Sequence, residues 1–101
     1  MIKATVLYGH PTDADAFEKY YAGQHMPIVS KVHGIAKAEY TKFLPAMDGT
    51  AAAYYRMAEL YFGGPAELQT TISSPEGQAM TGDLDNFATG GVTIMVGVVE
   101  N

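Results

Sequence analysis

Apolar and polar residues alternate from Ile2 to Tyr8, with Ile2, Ala4, Val6 and Tyr8 on one side and Lys3, Thr5 and Leu7 on the other, which predicts a first strand. Gly9-His10-Pro11 ends it. A Thr12-x-x-Asp15 start signal, with Asp13 and Asp15 suited to the positive end of a helix, opens a segment in which Phe17, Tyr20, Tyr21, Gln24 and Ile28 share one face. Glu18 and Lys19 point away from this stripe, and His25 lies at its edge, one turn beyond Tyr21. Pro27 has no amide hydrogen and crowds the Gly23 carbonyl, so the helix is expected to kink or restart there, leaving His25 at the break.

Alternation resumes from Ile35 to Leu44 as a second strand, stopped by Pro45. The Asp48-Gly49 pair marks a surface turn, and Tyr54 to Phe62 reads as a third strand with Arg56 and Glu59 on opposite faces. Gly63-Gly64-Pro65 then opens a short helix through about Ile72, and Ser73 and Glu76, at capping-box spacing, mark a second start. Met80, Leu84 and Phe87 recur at helical intervals around Gly82, and the apolar run from Val92 to Val99 predicts a final strand, central in its sheet.

The order β-α-β-β-α-β predicts an α+β, ferredoxin-like split βαβ fold, an antiparallel four-stranded sheet with both helices on one face. The uncovered face is expected to carry tyrosines, methionine and valines, and two apolar sheet faces call for a partner on each. A second copy is the simplest partner, giving a homodimer closed into a barrel-like sandwich. The helix-covered face is where a pocket is expected, between the aromatic stripe and the sheet.

Composition narrows the class. A chain of 101 residues, 48% apolar and 17% charged, predicts one globular domain spanning residues 1–101. Eleven acidic against six basic residues, with no Lys/Arg cluster, argue against nucleic acid or an anionic membrane as partner. No apolar run approaches the ~20 residues of a membrane span. Met1-Ile2-Lys3 enters a strand instead of a signal-peptide pattern, so a cytoplasmic location is expected. With no cysteine, thiolate catalysis and cysteine-held metals or clusters are excluded.

His25 is the leading candidate for chemistry, because imidazole can take up or release a proton near neutral pH, and a kinked helix exposes carbonyls that can orient its ring. The same carbonyls also suit a purely structural histidine. Tyr20 and Tyr21 offer phenols, one expected in the core and one in a pocket wall, and Asp83 can orient His25 if the second helical region brings it close. Glu59 is expected on the open sheet face, paired with Lys3 or Lys37. His10, His25 and His33 lack the spacing of a helical metal pair, and Gly63-Gly64 and Gly90-Gly91 lack a dinucleotide fingerprint, so neither metal nor cofactor is expected.

Four segments resemble the EthD-type proteins of the dimeric α+β barrel superfamily: Val6-Leu-Tyr-Gly-His-Pro-Thr-Asp13, Phe17-x-x-Tyr20-Tyr21-x-x-x-His25-Met-Pro27, Ala58-Glu-Leu-Tyr-Phe62, and Ser74-Pro-Glu-Gly77 with Asp83-Leu-Asp-Asn-Phe87. The resemblance covers nearly the whole chain and implies a ferredoxin-like fold, a homodimer, and a small apolar or aromatic ligand behind the first helix. Superfamily relatives include cofactor-free monooxygenases, lactone isomerases and polyketide-processing enzymes. The expectation is a cofactor-independent enzyme with His25 as general acid/base, Tyr21 assisting, Asp83 orienting, and Tyr20, Phe87 and Tyr8 contacting the ligand. The reaction stays open between oxidation, isomerisation and dehydration or cyclisation. Two rival readings are a protein that holds an apolar metabolite for another enzyme and a structural dimerisation module.

Overall fold

In the computed structural model, which describes residues 1–100, strands β1 (Ile2–Tyr8), β2 (Lys37–Lys42), β3 (Arg56–Phe62) and β4 (Val92–Val98) form one antiparallel sheet in the order β2-β3-β1-β4. Helix α1 (Ala14–Tyr20), a π-helical turn (Tyr21–His25) and helix α2 (Met26–Val29) connect β1 to β2. Helices α3 (Pro65–Ser73) and α4 (Pro75–Gly82) and a 3-10 turn (Asp83–Asn86) connect β3 to β4. This is the α+β, ferredoxin-like arrangement expected from the sequence, with each crossover packed on the same sheet face.

The caps sit one residue later than spacing predicts. Asp13, not Thr12, caps α1 by accepting from the Ala16 amide at 3.0 Å. Ser74, not Ser73, caps α4 by accepting from the Gly77 amide at 3.0 Å. The same Ser74 hydroxyl donates to the Thr71 carbonyl at 2.6 Å, which ties the end of α3 to the start of α4.

The face of the first helical region differs more consequentially. Its buried residues are Phe17, Tyr21, His25 and Val29, spaced by four, whereas Gln24 is exposed and Tyr20 and Ile28 only half-buried. The cause is the π turn, closed by the Met26 amide donating to the Tyr21 carbonyl five residues back. Each residue of this wider turn advances less around the axis than in an α-helix, so His25 swings from the edge of the stripe to its centre. Pro27, which has no amide hydrogen to give, falls harmlessly in the first turn of α2.

The core lies under the helices in two clusters. One gathers Ala4, Val29, Leu60, Phe62 and Met80; the other gathers Tyr8, Phe17, Tyr21 and Phe87. Register explains the split, since Ala4 faces Leu60 and Ile2 faces Phe62 at one end, while Tyr8 faces Arg56 at the other.

Two expectations about the sheet are overturned. β4 pairs only with β1 and is an edge strand. Its apolar run reflects an incompletely covered edge, because Ile94, Met95, Val96 and Val98 are each at least half exposed. The open face is also less apolar than expected. It carries Met57 and Tyr61, but its centre is polar, with Lys3 Nζ 2.9 Å from Glu59 and the Tyr61 hydroxyl donating to Glu39 at 3.1 Å. The valines of β4 lie on the helix-covered side, in register with Ile2, Ala4 and Tyr8.

The α3–α4 junction offers a test of the fold. A Cβ on Gly77 would collide with the Thr71 carbonyl, part of the Ser74 link. Gly77→Ala is therefore expected to cost about 1–3 kcal/mol, as overpacking does, measured as a lower urea midpoint with an unchanged slope.

Candidate functional site

His25 and Asp83 meet in the interior, with imidazole Nδ1 2.9 Å from Asp83 Oδ2. Their residues are 3% and 6% exposed, so the pair is shielded from water. Asp83 opens the 3-10 turn that follows α4, and its other oxygen accepts from the Tyr20 hydroxyl at 2.7 Å and from Asn86 Nδ2 at 2.9 Å. Burial alone would raise the Asp83 carboxyl, but the hydrogen bonds from Asn86, Tyr20 and His25 outweigh it and hold the group below its ordinary 3.8. An ionised carboxylate can only accept, so Nδ1 carries a proton toward it, and in the neutral form of the ring the lone pair is at Nε2. Of the two orienting partners considered from sequence, helix carbonyls and Asp83, it is the carboxylate that lies against the ring.

His25, but not Asp83, borders a cavity of about 210 Å³ lined by residues of both core clusters. His25, Tyr8 and Tyr21 are in its wall, with Val6, Ala58, Leu60, Met80 and Ile94 among the apolar groups that make up most of the rest. Tyr20 and Phe87, expected to contact a ligand, lie behind the imidazole instead. Phe87 packs on the His25 ring at 4.6 Å between centroids and stacks on Tyr20 at 5.3 Å, and Tyr20 holds Asp83. A wider surface hollow of about 420 Å³ beside His33 and Glu67 shares no residue with the pair.

Tyr21 is 3% exposed, burial pushes its phenol up to about 12, and its hydroxyl has no hydrogen-bond partner. Burial also raises the Tyr8 phenol. No group of three or more potential metal ligands exists among the described residues; His10 Nε2 lies 2.6 Å from the Ala52 carbonyl.

Sequence reading missed Glu18, which it pointed outward. Glu18 reaches the sheet and pairs with Arg56 through two bonds of 2.8 and 3.2 Å, and accepts from the Tyr55 hydroxyl at 2.9 Å. Hydrogen bonding from Arg56 first, opposed by burial and helped by Tyr55, holds its carboxyl below the ordinary range. The available signal was Arg56 itself, a cation on the helix-covered face of β3 that needs a carboxylate within reach.

The EthD domain model matches residues 9–91. The chain belongs to the EthD family. This EthD chain is 37% identical, over 94% of its own length and 91% of the other, to an uncharacterised 11.0 kDa protein of the thcB-thcC intergenic region in Rhodococcus erythropolis. It also resembles the crystal structure of an ethyl tert-butyl ether degradation (EthD) family protein from Bacillus halodurans C-125, with 30% identity, 99% of both chains covered and a TM-score of 0.90. A dimeric ferredoxin-like protein of unknown function from Jannaschia sp. CCS1, 14% identical with 98% of this chain and 100% of that one covered and a TM-score of 0.71, shares the fold alone.

The depressed Asp83 carboxyl gives a pH signature. A group lowered in the folded state adds stability above its unfolded value and loses it as pH falls through the folded one. Melting temperature is therefore expected to drop on acidification below about pH 4, and Asp83→Asn is expected to flatten that drop while costing about 1.5–3 kcal/mol at neutral pH. A variant with the wild-type acid profile would show that Asp83 does not carry this dependence.

Proposed function

We propose that this EthD protein is a small cofactor-independent enzyme that moves a proton on a hydrophobic or aromatic molecule bound between the first helical region and the sheet. One observation carries this reading: the buried His25–Asp83 pair commits Nδ1 and leaves Nε2 for a molecule in the cavity that His25 lines. His25 is the general acid/base, and Asp83 fixes its tautomer and ring plane. Tyr21 assists from the same wall, and Tyr8 packs against the ligand. Tyr20 and Phe87 serve as positioning residues, through Asp83 and the imidazole face.

The mostly apolar wall also supports the competing reading, a protein that holds an apolar metabolite for another enzyme. Compounds extracted from the purified protein and identified by mass spectrometry separate the two. In the catalytic reading, the wild type converts the compound or exchanges its hydrogen in D2O, and His25→Ala abolishes this in a variant that still folds, with a lower melting temperature because the buried Asp83 carboxylate loses a donor. Conversion surviving in the folded variant would remove His25 from the chemistry.

We further propose that the protein works as a homodimer, in the cytoplasm. The half-exposed apolar residues of β4, with Leu44 and Met47 fully outside the core at the far edge, support a second copy as partner. The fold-level neighbour described as dimeric agrees with this assembly. Light scattering at low micromolar concentration is expected to give twice the 10.8 kDa chain mass, and a species of 10.8 kDa alone would refute the dimer.

A further inference from the structure

The Tyr21 hydroxyl is the buried side-chain polar atom that lacks a hydrogen-bond partner among the described residues. Interiors rarely tolerate such an atom, and in a cavity wall it marks a position where a ligand atom is expected. Tyr21 shares that wall with His25, whose ring centroid is 5.6 Å from its own. One ligand can therefore touch both.

Tyr21 also lines a second hollow of about 140 Å³, whose wall includes Glu18 and Arg56. There the Arg56 guanidinium lies over the Tyr21 ring, 4.5 Å from the centroid. Glu18 fixes the guanidinium with its two bonds, and Tyr55 fixes Glu18 with a third. A cation held against the ring face draws on its π electrons and makes the O–H a stronger donor.

We infer that Tyr21 donates its hydroxyl to a carbonyl or phenolic oxygen of the ligand, with Arg56 as the positioning residue that strengthens the donation, so the ligand is a small apolar molecule whose oxygen gains negative charge as His25 takes its proton. This inference rests on the proton-transfer reading above and names its substrate class. For a carbonyl compound, the C–H bond beside the carbonyl breaks and its electron pair forms a C=C bond. The carbonyl π pair moves to oxygen, and the proton passes to Nε2 of His25. Return of that proton to the same or another atom closes the cycle without oxidant or reductant. Burial pushes the Tyr21 phenol up, with Arg56 acting against the rise, so it stays protonated at neutral pH as a donor must. A site built around an unpaired donor rejects a hydrocarbon of the same shape.

The test uses 4-nitrophenol and 4-nitrotoluene, which differ by hydroxyl against methyl, with binding followed by calorimetry and the ionisation of bound nitrophenol by absorbance. The wild type is expected to prefer 4-nitrophenol by about tenfold or more, the range of a hydrogen bond to a charged group, and to ionise it at lower pH than water does. Tyr21→Phe is expected to erase the preference and leave 4-nitrotoluene binding unchanged. Arg56→Lys, which keeps the charge but loses the planar fork, is expected to raise the ionisation pH of bound nitrophenol without changing nitrotoluene affinity.

Tyr21→Phe removes only an unpartnered oxygen, so its melting temperature should hold or rise. A fall in that temperature, or a preference that survives the substitution, overturns the role of Tyr21, and an unchanged ionisation in Arg56→Lys overturns that of Arg56. The two readings fail separately: His25→Ala should keep the nitrophenol preference even where conversion is lost, so a retained preference with retained conversion would sink only the proton-transfer reading.

Discussion

A helix that runs into a proline gives up a backbone hydrogen bond, and in this chain the place where it gives it up decides what faces the core. Pro27 is accommodated by a π turn upstream of it, closed between Met26 and Tyr21. The wider turn resets the helical phase, so Phe17, Tyr21, His25 and Val29 all point inward. Without that reset, His25 would sit at the margin of the stripe, away from the carboxylate that the other crossover brings to it.

Asp83 arrives by a second local rule. The Ser74 link joins α3 to α4, and α4 runs straight into the 3-10 turn that Asp83 opens. Three donors on one carboxylate keep it charged, and a charged carboxylate fixes where the imidazole proton resides. The aromatic packing of Phe87 and Tyr20 then holds the ring and its partner in a single orientation. The site is thus assembled from two helix-end devices separated by 58 residues in the chain.

The order of elements was legible because strand alternation, Gly-Pro breaks and capping residues are local signals. His25 could be singled out because it precedes Pro27, and Asp83 because it opens the Asp83-Leu-Asp-Asn-Phe87 segment and is a carboxylate that the second helical region could bring to an imidazole. The stripe of four-residue spacing was not legible, since a 3.6-residue period presumes no π turn. The edge placement of β4 was hidden because an apolar run looks the same whether its strand is central or bare. Glu18 was missed because helix-surface reasoning treats a charge beside the stripe as solvated, and only the sheet supplies Arg56 as its partner.

The cavity has a consequence for how the molecule is held together. It is lined by residues of both core clusters, which are otherwise bridged by Met26, so the cavity leaves the two halves of the interior in reduced contact. Any occupant that fills it adds contacts to both halves at once, acting as an interchangeable piece of hydrophobic core. On the ligand-binding reading proposed above, recognition and folding would be linked by mass action, and the supply of the occupant would set how often the chain opens and how long it persists.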